Sequence, residues 1–173
     1  DMALDLCLQQ IDECRPFFLG ILGERYGWVP DSIPDESIKQ YGWIQHMTGK
    51  SITELEIVYG ALRKQEMHSR SLFCFRDPAF IDTVPACKRA EVQSESSQAA
   101  EKLKTLKEAI RQADLPEPPV EDYPCCFQGL RLNWRLAELE LTEAQQEALR
   151  PMASDNMVTC EEYGRLDPSL RKA

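Results

Sequence analysis

Thr48-Gly49-Lys50-Ser51 carries the Gly-Lys-Ser ending of a phosphate-binding loop, in which backbone amides and a lysine cradle nucleotide phosphates. The spacing argues against that chemistry. The motif needs a glycine five residues before Gly49, where Ile44 stands, and no apolar strand leads directly into the segment. Ser51 reads better as a helix N-cap, with Glu54 completing a Ser-x-x-Glu capping box. Glu56, two residues on, projects from another side and is the carboxylate freer for chemistry. Gly20, Gly23 and Gly27 do not match the G-x-G-x-x-G fingerprint; they bracket Glu24, Arg25, Tyr26 and Trp28, whose types are those of an interface anchor. The rival reading, preferred here, folds Trp28 onto the core and gives Arg25 an ion pair. Arg76 and Asp77 end a second apolar run, at the edge where open parallel sheets bind ligands; an intrachain ion pair fixing the loop is the plainer role. His46 and His68 have no Cys, Asp or second His at ligand spacing, so no metal and no cofactor are expected.

These residues need elements to position them. Leu4, Leu8 and Ile11 recur at helical spacing with Cys7 in the same stripe, and Arg15-Pro16 ends that helix. Phe17 to Leu22 is a short apolar run expected as a central strand. Residues 23–50 show no sustained periodicity and are expected to form a long loop, of the kind that is often functional. The capping box opens a helix expected to run to about Met67, and Ser71–Arg76 is a second strand. Ala99, Leu103, Leu106 and Ile110 mark a third helix over about 94–113; Val120–Phe127 is a third strand, at an edge because it contains Pro124. Helix, strand, helix, strand, helix, strand argues for a mostly parallel α/β sheet. Residues 1–127 are expected as this domain and 128–173 as a helical or irregular tail. In the tail Thr142 and Gln145 form a second capping box, and Leu136, Leu139, Leu141 and Leu149 could serve a helix ending at Pro151.

With 173 residues, 43% of them apolar, there is material for one sizeable core. The net charge of -9 disfavours direct binding of nucleic acid or an anionic membrane. Only residues 61–113 are basic, seven acids against ten bases. Seven cysteines without C-x-x-C spacing read as reduced thiols of an intracellular protein, cytoplasmic or nuclear. The start at Asp1-Met2-Ala3, already within a helical pattern, suggests a piece of a longer protein.

Four blocks then carry a resemblance: Cys7-Leu8-Gln9-Gln10-Ile11-Asp12, Phe17 through Pro30 with its Gly-Glu-Arg-Tyr-Gly-Trp-Val-Pro ending, Ser51-Ile52-Thr53-Glu54-Leu55-Glu56-Ile57, and Phe73 to Pro78. Over residues 3–113 the chain resembles the uncharacterised domain that precedes NACHT nucleotide-switch modules. That domain occurs in a telomerase and vault ribonucleoprotein subunit and in relatives with WD or tetratricopeptide repeats. The resemblance implies a three-layer flavodoxin- or TIR-like fold, here without the family's leading strand and its Arg-Trp-Gly block. A three-stranded remnant would leave Phe17–Leu22 exposed on one side unless something covers it. The implied function is non-catalytic assembly or signalling, with other domains of the parent, protein partners or self-association as its contacts. The alternative is a TIR-like NAD hydrolase, in which Ser51 and Glu56 would take the catalytic places.

Overall fold

In the computed structural model, residues 2–131, 141–152 and 157–158 are described. They fall into two compact units, residues 1–81 with 89–125, and residues 82–88 with 126–173.

In the first unit, helix α1 (Met2–Glu13) buries Leu4 and Leu8 and ends before Pro16. Strand β1 (Phe18–Leu22) pairs in parallel with β2 (Ser71–Arg76), from Phe18 opposite Ser71 to Leu22 opposite Phe75. Strand β3 (Val120–Tyr123) pairs in parallel with β2 through an irregular register, giving the order β1-β2-β3 with β3 at an edge as expected; it stops before Pro124, which has no N–H to continue the ladder, instead of running on to Phe127. The segment between β1 and β2 holds α2 (Asp35–Gln40), a 3-10 turn (Gly42–His46), α3 (Ile52–Ile57), a π-helical turn (Val58–Leu62) and α4 (Gln65–His68). Residues 23–50 are therefore less irregular than their pattern suggests, because Ile33, Ile38, Tyr41 and Ile44 turn inward over only one or two turns each. The expected single helix to Met67 is interrupted where Arg63 N–H bonds to the Val58 carbonyl, five residues back, at 3.0 Å. After β2 come α5 (Phe80–Thr83), α6 (Ala86–Val92) and α7 (Ser97–Gln112); Ser96 Oγ caps α7 by accepting from Ala99 N at 3.1 Å.

Three layers result, in an open α/β arrangement. One face of the sheet, with Leu22, Phe73 and Phe75, packs on Ile57 and Ala61 and on the α7 stripe Leu103, Leu106 and Ile110. The opposite side of α3 and its π turn, with Leu55 and Tyr59, packs on Leu4, Leu8, Tyr41 and Ile44. The middle layer thus serves two cores. Tyr59 anchors the second by stacking on Trp43, centroids 5.8 Å apart, and donating to Asp12 Oδ2 at 2.6 Å.

Among the described residues of this unit, no layer covers the outer sheet face. Leu19 and Ile21 are 61% and 64% exposed, beside exposed Leu72. The expected central position for Phe17–Leu22 is corrected: β1 is an edge strand, since no described strand pairs with its outer side. Phe18 N–H donates to the Arg70 carbonyl at 3.0 Å, so the alternating amides of Leu19 and Ile21 point to the free edge.

In the second unit, β4 (Leu130–Arg131) pairs antiparallel with β5 (Met157–Val158). The predicted capping box is present at α8 (Glu143–Leu149): Thr142 Oγ1 accepts from Gln145 N and Gln145 Oε1 accepts from Thr142 N. Leu141 and Leu149 are buried, while Leu136 and Leu139 lie outside the described residues.

The close approach of β1 to the middle layer depends on Gly60, where a Cβ would overlap the Phe18 ring and press on Ile11. Gly60→Ala should lower stability by about 1–3 kcal/mol as an overpacking change, whereas Gly42→Ala, facing open space, should be neutral. Urea midpoints of the two variants check the contrast.

Candidate functional site

The loop leaving β1 is held by a buried hydrogen-bond cluster. Tyr26, 1% exposed, donates its hydroxyl to Glu54 Oε2 in a very short bond and accepts from Ser51 N at 3.3 Å. Lys50 Nζ pairs with the other Glu54 oxygen at 2.9 Å, and Ser51 Oγ accepts from Glu54 N at 3.2 Å. Only half of the expected Ser51–Glu54 capping box forms. The Ser51 amide is met by the Tyr26 hydroxyl, because the Glu54 carboxylate is engaged by Tyr26 and Lys50. Burial first, then the bond to Glu54, pushes the Tyr26 phenol up to about 12, so at neutral pH it is the donor and Glu54 the acceptor.

The anchored Tyr26 ring sets the path of the next residues. Gly27 takes φ +94°, a conformation that favours glycine, and turns the chain against Thr53. The Trp28 carbonyl then accepts from Ile52 N at 3.0 Å. The backbone of Trp28 is pinned while its side chain is 57% exposed. This corrects the expected core role of Trp28: Tyr26 alone folds back, and the Gly27 turn sends the indole outward. Trp28 lines two clefts, one of about 560 Å³ with Tyr26, Pro30, Gln98 and Lys102, the other of about 390 Å³ with Ile21, Thr53 and Leu106.

Charged residues around the loop are paired. Arg25 Nε bonds Glu95 Oε1 at 2.8 Å, as its expected ion pair, and Arg25 Nη1 donates to the Glu91 carbonyl at 3.1 Å. Burial would raise the Glu95 carboxyl, but hydrogen bonds from its own amide, the Arg25 guanidinium and the Tyr26 amide together hold it below the usual range. Lys102 Nζ donates to the Gly49 carbonyl at 2.7 Å. Arg76 makes its intrachain ion pair with Glu24, which also meets Lys107, and Asp77 Oδ1 instead accepts from Ala79 N at 2.8 Å. Glu24, Arg25, Tyr26, Trp28, Arg76 and Asp77 therefore gather at the carboxyl ends of β1 and β2.

Ser51 and Glu56 are not brought together. Ser51 is fully buried under Tyr26, whereas Glu56 lines a separate cleft of about 460 Å³ with Cys7, Ile11 and Phe18. Burial, with hydrogen-bonding and charge from Glu56, raises the Cys7 thiol to about 11 and keeps it protonated. The ring nitrogens of His68 face the Asp114 and Leu62 carbonyls. Among the described residues no group of three His, Cys, Asp or Glu side chains is placed to hold a metal. The carboxyl-end loop presents an aromatic side chain on a pinned backbone within a rim of charged side chains. Glu95 and Lys102 are members that sequence reasoning does not reach. They lie some seventy residues from the loop, and no local pattern links them to it.

Trp28→Ala should leave the urea midpoint within about 0.5 kcal/mol of the parent chain. Tyr26→Phe should cost about 1–3 kcal/mol by leaving a buried Glu54 oxygen unsatisfied. The raised Tyr26 pKa adds stability that is complete below pH 10, the ordinary tyrosine value, and is lost as pH rises through about 12. Urea titrations across this alkaline window should show a shallower decline for Tyr26→Phe.

Comparison with known proteins identifies relatives. Residues 1–123 match the model of the domain of unknown function DUF4062. Telomerase protein component 1 of Rattus norvegicus is 32% identical over 130 residues, covering 73% of this chain and 5% of that protein. A TPR repeat-containing protein of Dictyostelium discoideum is 29% identical over 120 residues, 62% of this chain and 7% of the relative. Tetratricopeptide repeat protein 41 of Rattus norvegicus is 32% identical over 94 residues, 42% and 7% respectively. The chain thus spans less than a tenth of the length of these relatives, and no solved structure matches it. By its match to that family model over more than two thirds of its length, the chain belongs to the DUF4062 family.

Proposed function

We propose that this domain is a non-catalytic assembly or signalling module of a NACHT-type multidomain protein, and that its setting is a telomerase or vault ribonucleoprotein. The observation that carries the reading is the uncovered sheet face, where Leu19, Ile21 and Leu72 present apolar side chains beside the free edge of β1. Contiguous exposed apolar surface of this kind marks contact sites. Relatives named for telomerase and for tetratricopeptide repeats, in which this stretch is a small part of a long chain, support a role inside a larger assembly. The contacts proposed are with other domains of the parent, with protein partners or with a second copy, and Trp28 is a second anchor at the carboxyl end of β1. RNA, if the parent binds it, is held by other domains, since this chain carries a net charge of -9.

Hydrogen exchange tests this. The outward amides of Leu19 and Ile21 should exchange fast in the 173-residue chain and be protected at least tenfold in the full-length parent. Leu19→Lys should remove that protection in the parent while leaving the chain's own melting midpoint nearly unchanged. Equal exchange in both settings would remove the basis of the reading. NAD turnover by the chain, abolished in Glu56→Ala, would replace it with an NAD hydrolase.

A further inference from the structure

We propose that the cleft between α7 and the carboxyl ends of β1 and β2 binds a phosphorylated small molecule. Helix α7 presents Lys104, Lys107 and Arg111 at spacings of three and four residues, which puts them on one face. They line a cleft of about 360 Å³ whose other walls are Glu24, Ser94 and the apolar Ile81, Ala100 and Leu103. Glu24 is the one anionic residue among the described residues lining it.

Glu24 satisfies its cations poorly. Arg76 Nη2 stands 3.4 Å from Glu24 Oε2 and Lys107 Nζ 3.3 Å from Oε1. Charge-assisted bonds normally close to about 2.7–2.9 Å. Elsewhere in the same unit they do so, at 2.7 Å for Arg111 with Glu121 and 2.8 Å for Arg25 with Glu95. The remaining Arg76 contact, Nη2 to the Val92 carbonyl, is also 3.4 Å, and Arg76 Nε is buried with no hydrogen-bond partner. The guanidinium is held in place by the Phe80 ring 4.0 Å below it rather than by its anion. Lys104, exposed to solvent, makes no ion pair among the described residues.

Lys104, Lys107 and Arg111 line the cleft and Arg76 approaches it through Glu24, four cations against Glu24 and the two carboxylates that engage Arg111, Glu108 and Glu121. A positive surplus in a chain of net charge -9 is a local feature. One carboxylate shared between two loosely held cations leaves room for a second anion, and a dianionic phosphate fits lysine ammonium groups, which act as point charges. The position is also chemically apt, since open parallel sheets bind ligands beyond the carboxyl ends of their strands. Ile81, Ala100 and Leu103 require that the ligand carry a small apolar body. Glu24 competes with it for Arg76 and Lys107.

Isothermal titration of the 173-residue chain with phenyl phosphate, inorganic phosphate and benzoate tests the assignment. Phenyl phosphate should bind saturably at one site, about tenfold tighter than either comparison ligand. Lys104→Gln removes an exposed side chain with no ion-pair partner among the described residues, so it should fold normally and weaken binding about fivefold or more. Glu24→Gln should tighten binding by a similar factor by removing the internal competitor; if that variant does not fold, Lys104→Gln decides alone. Absence of saturable binding up to about 10 mM, equal affinity for benzoate, or phenyl phosphate binding unchanged in Lys104→Gln would each overturn the proposal.

Discussion

A carboxylate removed from water must find a partner for each of its oxygens, and Glu54 finds two that belong to different parts of the chain. Lys50 comes from the turn before α3 and Tyr26 from the loop after β1. Because the Tyr26 hydroxyl also receives the Ser51 amide, one phenol satisfies both the amide at a helix start and an oxygen of a buried carboxylate. Removing any member would leave another buried and unpaired, which is why such clusters act as units. The outward path of Gly27 and Trp28 is a consequence of where that phenol is anchored.

The same clasp sets the middle layer. With the start of α3 tied to the β1 loop, Ile57 and Ala61 reach the sheet and Leu55 and Tyr59 reach α1 and the 3-10 turn. A straight α-helix rotates each residue by a constant angle, and a run serving two cores on opposite sides gains from a local change of phase. The π-helical turn at Val58–Leu62 supplies one, and it coincides with the glycine on which Phe18 rests.

Much of this is legible from residue types. Leu103, Leu106 and Ile110 announce a helix face, Thr142 with Gln145 a helix start, and Pro124 an edge strand, because each signal is local and acts within a turn or two. The short α2 and the 3-10 turn escape the pattern, since elements of five or six residues complete too little of a period to register. β1 looks central in sequence because an unbroken apolar run is what a doubly covered strand has; what covers it is not written in the run itself. Within the candidate site, Arg25 signals an ion pair but not its partner, Glu95. Trp28 misleads because Val29-Pro30 continues the apolar run while Gly27, one residue earlier, has already reversed the chain's direction.

The five residues of β1, Phe-Leu-Gly-Ile-Leu, contain no charge and no proline. Natural edge strands usually carry such gatekeepers against unwanted strand addition. The protection left to this chain by itself is its net charge, which acts only over the Debye length, about 8 Å at physiological ionic strength. Added salt weakens that protection. By screening the repulsion while leaving the apolar edge intact, it lowers the concentration at which copies begin to stack, so that colloidal stability, rather than folding, becomes the property that governs how the isolated domain behaves.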